Sequence, residues 1–250
     1  TLMSALSQIT ETIRLGQMCT CNSYRNPAYL TKIASNVDVI SNGRLDFAIG
    51  AGWYDQEYKA YGYEYPSDGT RLKMLEESLN IYIEMMTEDK ASYSGKYYNI
   101  TEAINEPKSI QKPYPPIWVC GGGEKVTLKL LAKYGKYGNW DVDHETFQKK
   151  SEILEMHCKN ENRDFDSIIR TLHTNVIIGE DDNDLKFKLA KIVEDTNIPE
   201  EYYLNRPLVG TKNKVFENLE IYSELGCKYL TAYVPDLVWG NTLEILSERL

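Results

Sequence analysis

Apolar residues along this chain form two alternating patterns. Short apolar runs bounded by turn residues predict six strands, at 13–20, 45–50, 117–120, 137–142, 168–178 and 228–234. Each run is followed by a segment in which apolar residues recur every three to four positions, as they do along one face of a helix. A chain that alternates strand and helix in this way predicts an α/β fold with a parallel sheet.

Local chemistry places several helix ends. Asn26 is a good N-cap with Pro27 at the first helical position, and Asn42-Gly43 can end that helix in the left-handed region. Thr211 is a similar cap for a helix that ends at Gly226. The other predicted helices are Thr1–Gln8, Tyr54–Tyr61, Arg71–Met86, one that begins at Glu124, His144–Asn160, Asp182–Glu194 and Leu237–Leu250.

Two folds fit this order of elements. Six strand-helix units behind a leading helix that has no strand before it predict a (β/α)₈ TIM-type barrel that lacks its first two strands in this chain. A doubly wound open sheet would need no missing strand and is the second fold. No linker divides the chain, so we expect a single, N-terminally incomplete barrel domain, residues 1–250, with a hairpin excursion around 88–116.

Charge and cysteine usage narrow the partners. The chain has 37 acidic and 28 basic residues, a net charge of −9, which argues against nucleic acid or an anionic membrane as a partner. No apolar run approaches the ~20 residues that cross a bilayer. Five scattered cysteines do not form the framework of a small secreted protein, and we expect a cytoplasmic protein.

A glycine triplet after the strand at 117–120 is the first candidate site. Gly121, Gly122 and Gly123 stand between this strand and the predicted helix at Glu124. Exposed backbone amides next to a helix start can bind an anion such as a cofactor phosphate. A tight turn that needs positive φ angles explains the same glycines, and both interpretations stay open here.

Seven short segments carry a stronger signal through their order and spacing. They are Ile13–Gly16, Tyr24–Ala28, Asp38–Leu45, Gly50–Trp53, Arg71-Leu72, Gly95–Tyr98 and Pro115–Lys125. Together they resemble the luciferase-like monooxygenase superfamily, in particular its F420-dependent oxidoreductase branch, over nearly the whole chain.

The resemblance implies a TIM-type barrel that binds coenzyme F420, or alternatively FMN. The cofactor ring would lie at the C-terminal mouth of the barrel, with its phosphate near the glycine triplet. A non-proline cis peptide at Met18-Cys19 or its neighbour would press on the ring, so Met18, Cys19 and Thr20 are expected in the cofactor site, as is Glu124. The resemblance also implies a homodimer.

The expected activity is hydride transfer between F420 and a small organic substrate. The alternatives are an FMN-dependent monooxygenase that uses O₂, and a non-catalytic barrel fragment. The cofactor performs the chemistry in either enzyme, and the protein positions its ring. No catalytic acid or base is assigned: His144 and His157 fall in a predicted helix, and His173 in a strand.

Other residues near the expected mouth have two interpretations each. Gly50 and Gly52 suit close approach of the backbone to a flat ring, or else a bulge in a strand. Trp53 could form a wall of the pocket or cover the barrel end. The remaining candidates are three thiols that could bind zinc but are more simply buried cysteines (Cys19, Cys21, Cys120), two cations for the cofactor tail (Arg25, Lys125) and a structural Arg71 paired with Glu76 or Glu77.

Overall fold

The computed structural model describes residues 2–249 and divides into two compact units. Unit 1 contains the residues up to Gly138 together with His157–Ile168, and unit 2 contains Asn139–Met156 and the residues from Ile169 onward. Thr1 and Leu250, the outer ends of the first and last predicted helices, lie outside the described residues.

Unit 1 consists mainly of parallel strands and helices. Its strands are β1 Leu15–Gly16, β2 Thr20–Cys21, β3 Leu45–Gly50, β4 Ala91–Ser94, β5 Asn99–Ala103 and β6 Ile117–Cys120. Its helices are α1 Leu2–Ile9, α2 Pro27–Ile40, α3 Asp55–Ala60, α4 Asp68–Thr87 and α5 Thr127–Tyr134. Strand β7 Tyr137–Trp140 and helix α6 His144–Asn160 each have residues in both units.

The central strand of unit 1 is β3. It pairs in parallel with β1, β2 and β6, and its side chains are almost all buried. Helices α2 and α4 bury their apolar faces in the same unit, where Phe47 of β3 stacks on Tyr82 of α4 with ring centroids 4.2 Å apart. Asn26 caps α2 as predicted, since its side chain accepts hydrogen bonds from the amides of Ala28 and Tyr29.

An antiparallel pair, β4 and β5, lies within the 88–116 segment. Glu77 of α4 holds the turn between these strands, because its carboxylate accepts hydrogen bonds from the amides of Lys96, Tyr97 and Tyr98 at 2.8–3.0 Å. Glu77 is therefore not available as the predicted partner of Arg71.

Unit 2 is built around β8 Ile169–Gly179, which pairs in parallel with β9 Leu208–Thr211 and β10 Cys227–Tyr233. Its helices are α7 Asp182–Thr196, α8 Glu200–Leu204, α9 Lys212–Glu224 and α10 Thr242–Ser247. A core cluster joins strands and helices through Ile177, Leu189, Ile192, Tyr203 and Val209.

Several predicted boundaries were wrong. The strand predicted at 13–20 is two strands of two residues each, because residues 17–19 between them leave the sheet in a turn. Helix α5 begins at Thr127 rather than Glu124, and α10 begins at Thr242 rather than Leu237. Strand β9 and helix α8 were not predicted from the sequence.

No helix within residues 2–249 combines the length and the apolar character needed to cross a membrane. All five cysteines lie in this part of the chain, and each is a free thiol.

Candidate cofactor site

Two segments that the sequence analysis proposed for a cofactor site meet at the carboxyl edge of the sheet in unit 1. They are Gly50–Trp53 and the glycine triplet Gly121–Gly123. Strands β3 and β6 pair in parallel with Ile49 opposite Val119, so Gly50 and Cys120 are the next residues along each strand. Cys21, at the end of β2, lies opposite Gly50. The turns that begin after Gly50 and after Cys120 therefore leave the sheet side by side.

The segment before β2 reaches the same edge. The peptide bond between Met18 and Cys19 is cis, at the first of the positions that the resemblance implies. Met18 is 37% exposed, and its sulfur lies 3.5 Å from the Cys120 thiol, which donates a hydrogen bond to it. Thr20 is buried and pairs with Ile49 in the sheet. Met18, Cys19 and Thr20 thus lie beside the strand ends of β3 and β6.

Two of the thiols at this edge influence each other. A hydrogen bond between Cys19 and Cys120 lowers the pKa of Cys19, whereas the same hydrogen bond and burial hold the pKa of Cys120 well above its usual value. Within residues 2–249, no group of three or more His, Cys, Asp or Glu side chains is arranged to hold a metal ion.

Gly50 and Gly52 leave room for neighbouring protein atoms. A Cβ at Gly50 would lie 3.0 Å from the Cys19 sulfur and 3.4 Å from the Cys120 carbonyl oxygen. At Gly52, where φ is +84°, a Cβ would overlap the hydroxyl of Tyr58 and lie 2.7 Å from the Cys21 sulfur. The sequence left two interpretations of Gly52, close approach to a ring or a bulge in a strand, and on the Cβ side of this glycine lie the Tyr58 hydroxyl and the Cys21 sulfur.

Tyr58 and Arg71 support the turn after β3. Tyr58 is fully buried on α3, and its hydroxyl lies 3.1 Å from the Cys21 sulfur. Burial and the hydrogen bond with Cys21 raise the pKa of Tyr58 to about 12. Arg71 of α4 donates to the Gly52 carbonyl at 3.1 Å and forms an ion pair with Asp68 at 2.7 Å.

The predicted partners of Arg71, Glu76 and Glu77, were wrong, although the structural role predicted for Arg71 fits its contacts. Its guanidinium also lies over the ring of Tyr65, 4.1 Å from the centroid, and the Tyr65 hydroxyl donates to the Trp53 carbonyl at 2.8 Å. The side chain of Trp53 is 80% exposed, although its backbone carbonyl is held by Tyr65. Neither Tyr58 nor Tyr65 was singled out in the sequence, since 19 tyrosines are spread along the chain.

The glycine triplet forms an open turn. Gly121 has a φ of +114°, and among the described residues other than its chain neighbours, only the Thr127 methyl carbon, at 3.5 Å, lies within 4 Å of its Cβ position. Gly121, Gly123 and Lys125 are exposed. The backbone amides of Gly123 and Lys125 donate no hydrogen bond to any residue that the structure describes.

A histidine fixes the far end of this turn. His157 of α6 lies in unit 1, and its Nε2 is 2.9 Å from the Glu124 carbonyl oxygen. A carbonyl oxygen only accepts, so Nε2 carries the hydrogen. Three further residues of turn separate Gly123 from α5, and the amide of Leu128 bonds back to the Gly123 carbonyl at 3.0 Å. The sequence offered no signal for this pairing, since 33 residues separate the partners.

The remaining candidates belong to other elements of the chain. Arg25 is exposed just before α2. In unit 2, the ring of His144 packs against Tyr222 with centroids 4.3 Å apart. His173 on β8 is hydrogen-bonded to the Thr231 hydroxyl at 2.9 Å, and burial lowers its pKa.

The family model of luciferase-like monooxygenases matches residues 1–213. This chain belongs to that family. The luciferase-like protein is similar in fold to an F420-dependent secondary alcohol dehydrogenase solved with an F420–acetone adduct, with a TM-score of 0.84 at 18% identity over 99% of this chain and 82% of that one. The predicted TIM-type barrel fold is therefore confirmed, and the doubly wound alternative is wrong.

Curated relatives of this luciferase-like protein include users of both cofactors. An F420-dependent glucose-6-phosphate dehydrogenase of Amycolatopsis mediterranei is 28% identical over 141 residues, 55% of this chain and 40% of the relative. The oxygenase component of a flavin-dependent trigonelline monooxygenase of Acinetobacter baylyi is 31% identical over 117 residues, 46% of this chain and 31% of the relative. The matches thus span less than half the length of these relatives.

Proposed function

We propose that this protein is an oxidoreductase that transfers a hydride between coenzyme F420 and a small organic substrate. The observation that carries the proposal is the convergence of Met18–Thr20, Gly50–Trp53 and Gly121–Glu124 at the carboxyl edge of one parallel sheet. Ligands of open and closed α/β sheets bind at this edge, because the loops that follow the strands surround it.

The residues at this edge fit the anionic part of such a cofactor. The turn at Gly121 has a space that a Cβ would fill, and the amides of Gly123 and Lys125 are free to donate to phosphate oxygens. The ammonium group of Lys125 adds a positive charge at an exposed position, which favours the same ligand. Gly121, Gly122, Gly123 and Glu124 would then form the phosphate-binding turn.

The protein's part in the reaction is to bind and orient. When bound, F420 supplies the carbon that gives or accepts the hydride. Met18 and Cys19 would contact one face of the ring, while the buried Tyr58 and Arg71 hold the backbone of Gly52 and Trp53 in place beside it. A rigid support of this kind fixes the distance over which a hydride moves.

An FMN-dependent monooxygenase is the second candidate. The similarity to the flavin-dependent trigonelline monooxygenase favours it. The phosphate-binding turn suits FMN equally well, because in both cofactors a phosphate group follows the polyol chain that is attached to the ring. The small-molecule substrate is not assigned in either case.

Titration of the purified protein with F420 and, separately, with FMN tests the proposal. We expect F420 to bind at micromolar concentration with a change in its fluorescence, and Gly121→Val to weaken this binding at least tenfold because the new side chain fills the turn. Gly69→Val on α4, where a Cβ meets no atom within 4 Å, is the control. Tighter binding of FMN favours the monooxygenase, and binding of neither favours a non-catalytic fragment.

Light scattering on the same samples tests the expected homodimer.

A further inference from the structure

A second cavity lies in unit 1, at the opposite edge of the sheet from the candidate cofactor site. It is lined by residues at the amino ends of β6 and β7, among them Ile117 and Tyr137, and its volume is about 660 Å³. Cavities that hold small ligands span roughly 300–1,000 Å³. The glycine turn of the candidate cofactor site follows the other end of β6, so this cavity is a separate feature of the fold.

The charge of the cavity lining is unusual for this protein. Among the described residues, five cations line it and no aspartate or glutamate does, although acidic residues outnumber basic ones by 37 to 28 in the whole chain. The five are Arg14, Lys112, Lys133, Lys136 and Arg163. A cluster of like charges around a space is unfavourable unless counter-charges are supplied.

Two of these five side chains form ion pairs with carboxylates of residues 2–249. Arg14 is paired with Asp46 through two contacts of 2.9 Å, and Lys133 lies 3.7 Å from Glu76. Within residues 2–249, none of the other three, Lys112, Lys136 and Arg163, forms an ion pair.

The three unneutralised cations are held in place by neutral backbone oxygens. Lys112 donates to the Ser109 carbonyl at 3.0 Å, and Lys136 donates to the Ser167 carbonyl at 2.9 Å. Arg163 donates to the Ala132 and Gly135 carbonyls at the end of α5, which explains its position there but leaves its charge only partly balanced. Lys112 and Lys136 are exposed with one such hydrogen bond each, so their charge remains available to a ligand.

Aromatic side chains form the other part of the lining. Tyr114 and Tyr137 are partly exposed, and Tyr137 is held rigid by stacking on Trp118, with ring centroids 4.2 Å apart. The hydroxyl of Tyr114 has no hydrogen-bond partner in the part of the chain that the structure describes. Burial raises the pKa of Tyr114, and the nearby charge of Arg163 acts in the opposite direction, which places these two groups close to each other.

We propose that this cavity binds an organic phosphate of the nucleotide class, with the phosphate among Lys112, Lys136 and Arg163 and a planar ring against the tyrosines. Three cations without carboxylate partners suit a dianion better than a single carboxylate. Partly exposed aromatic rings beside them suit a flat base. The site is independent of the cofactor assignment, because none of its residues belongs to the phosphate-binding turn at Gly121.

Calorimetric titration with adenosine 5′-monophosphate, inorganic phosphate and adenosine tests the proposal. We expect saturable binding of the monophosphate at one site, weaker binding of inorganic phosphate, and no binding of adenosine. Affinity should fall as salt rises, since the contacts are between charges. Binding of adenosine as tight as that of its monophosphate would overturn the role of the cations.

Two variants and a competition experiment locate the site. The double variant Lys112→Ala/Lys136→Ala should weaken binding of the monophosphate at least tenfold, whereas Lys73→Ala, an exposed lysine of α4, should leave it unchanged. Tyr114→Ala provides a second variant should the double one fail to fold, and it should weaken the monophosphate more than inorganic phosphate. Saturating F420 or FMN should not displace the monophosphate. Full displacement, or unaltered binding in the variants, would overturn the proposal.

Discussion

At the scale of single residues, the candidate site depends on atoms that the protein places against each other. Gly52 is the clearest case, because a positive φ angle and the packing of Tyr58 and Cys21 both require a residue without a Cβ. The sequence showed that a glycine was needed near Trp53. It could not show why, since Tyr58 and Cys21 are brought to this point only by the fold.

The substitution Gly52→Ala should destabilise the protein more than Gly62→Ala. Both glycines have positive φ angles, +84° and +74°, so both variants carry a backbone penalty of about 1 kcal/mol. Only at Gly52 does the new methyl group overlap other atoms, which adds roughly 1–3 kcal/mol. Urea unfolding of the two variants measures the difference, and equal losses would contradict the packing described for Gly52.

The reactivity of Cys19 should depend on Cys120. When Cys19 ionises, the Cys120 thiol turns its one hydrogen from Met18 to the Cys19 sulfur, which lowers the pKa of Cys19 below that of an ordinary cysteine. Cys120→Ala removes the hydrogen bond and should shift the pH profile of Cys19 alkylation by iodoacetamide to higher pH. Mass spectrometry of the Cys19 peptide follows the reaction. Cys227→Ala serves as the control, and an unshifted profile in Cys120→Ala would remove the proposed coupling.

At the scale of elements, the sequence predicted the strands and helices best where one pattern acted alone. The bounds of β3 and α6 were correct to the residue, because the alternation of Leu45, Phe47 and Ile49 defines the strand and a long amphipathic repeat defines the helix. Strand β9 was missed, since its four residues, Leu208–Thr211, are extended because they pair with β8. The split of the first predicted strand depends likewise on pairing with β3, which no local pattern records.

The turn between β4 and β5 should open when Glu77 is replaced. Its carboxylate accepts hydrogen bonds from three successive amides, and glutamine keeps a single carbonyl oxygen for them. Hydrogen exchange of residues 96–98 should therefore accelerate in Glu77→Gln, and more so in Glu77→Ala. Exchange in β6 is the internal reference. Unchanged protection at 96–98 in both variants would show that the strand pair holds this turn without Glu77.

At the scale of the whole molecule, the family and fold could be predicted from the sequence, but the cofactor could not. The order of seven short segments was sufficient for the family, and the comparison with solved structures confirms the barrel fold. F420 and FMN share the features that a glycine turn recognises, and their rings differ by few atoms. The choice between them depends on side chains around the ring, which no backbone motif encodes.

Thermal unfolding should report the preferred cofactor. A ligand that binds only the folded state adds about 2.7 kcal/mol of stability at a concentration of 100 Kd. For a chain of 250 residues this corresponds to a rise in Tm of roughly 5–10 °C. We expect such a rise with F420 and a smaller one with FMN, followed by circular dichroism. The reverse order would identify FMN as the cofactor.

The contact between His157 and the Glu124 carbonyl has an evolutionary consequence. Helix α6 is not part of the proposed phosphate-binding turn, yet its His157 is hydrogen-bonded to the backbone of that turn. Substitution of an amino acid on this helix can thus adjust the grip on an anion without altering any group that touches it. Affinity for the ligand can therefore change during evolution while the residues that contact the ligand stay the same.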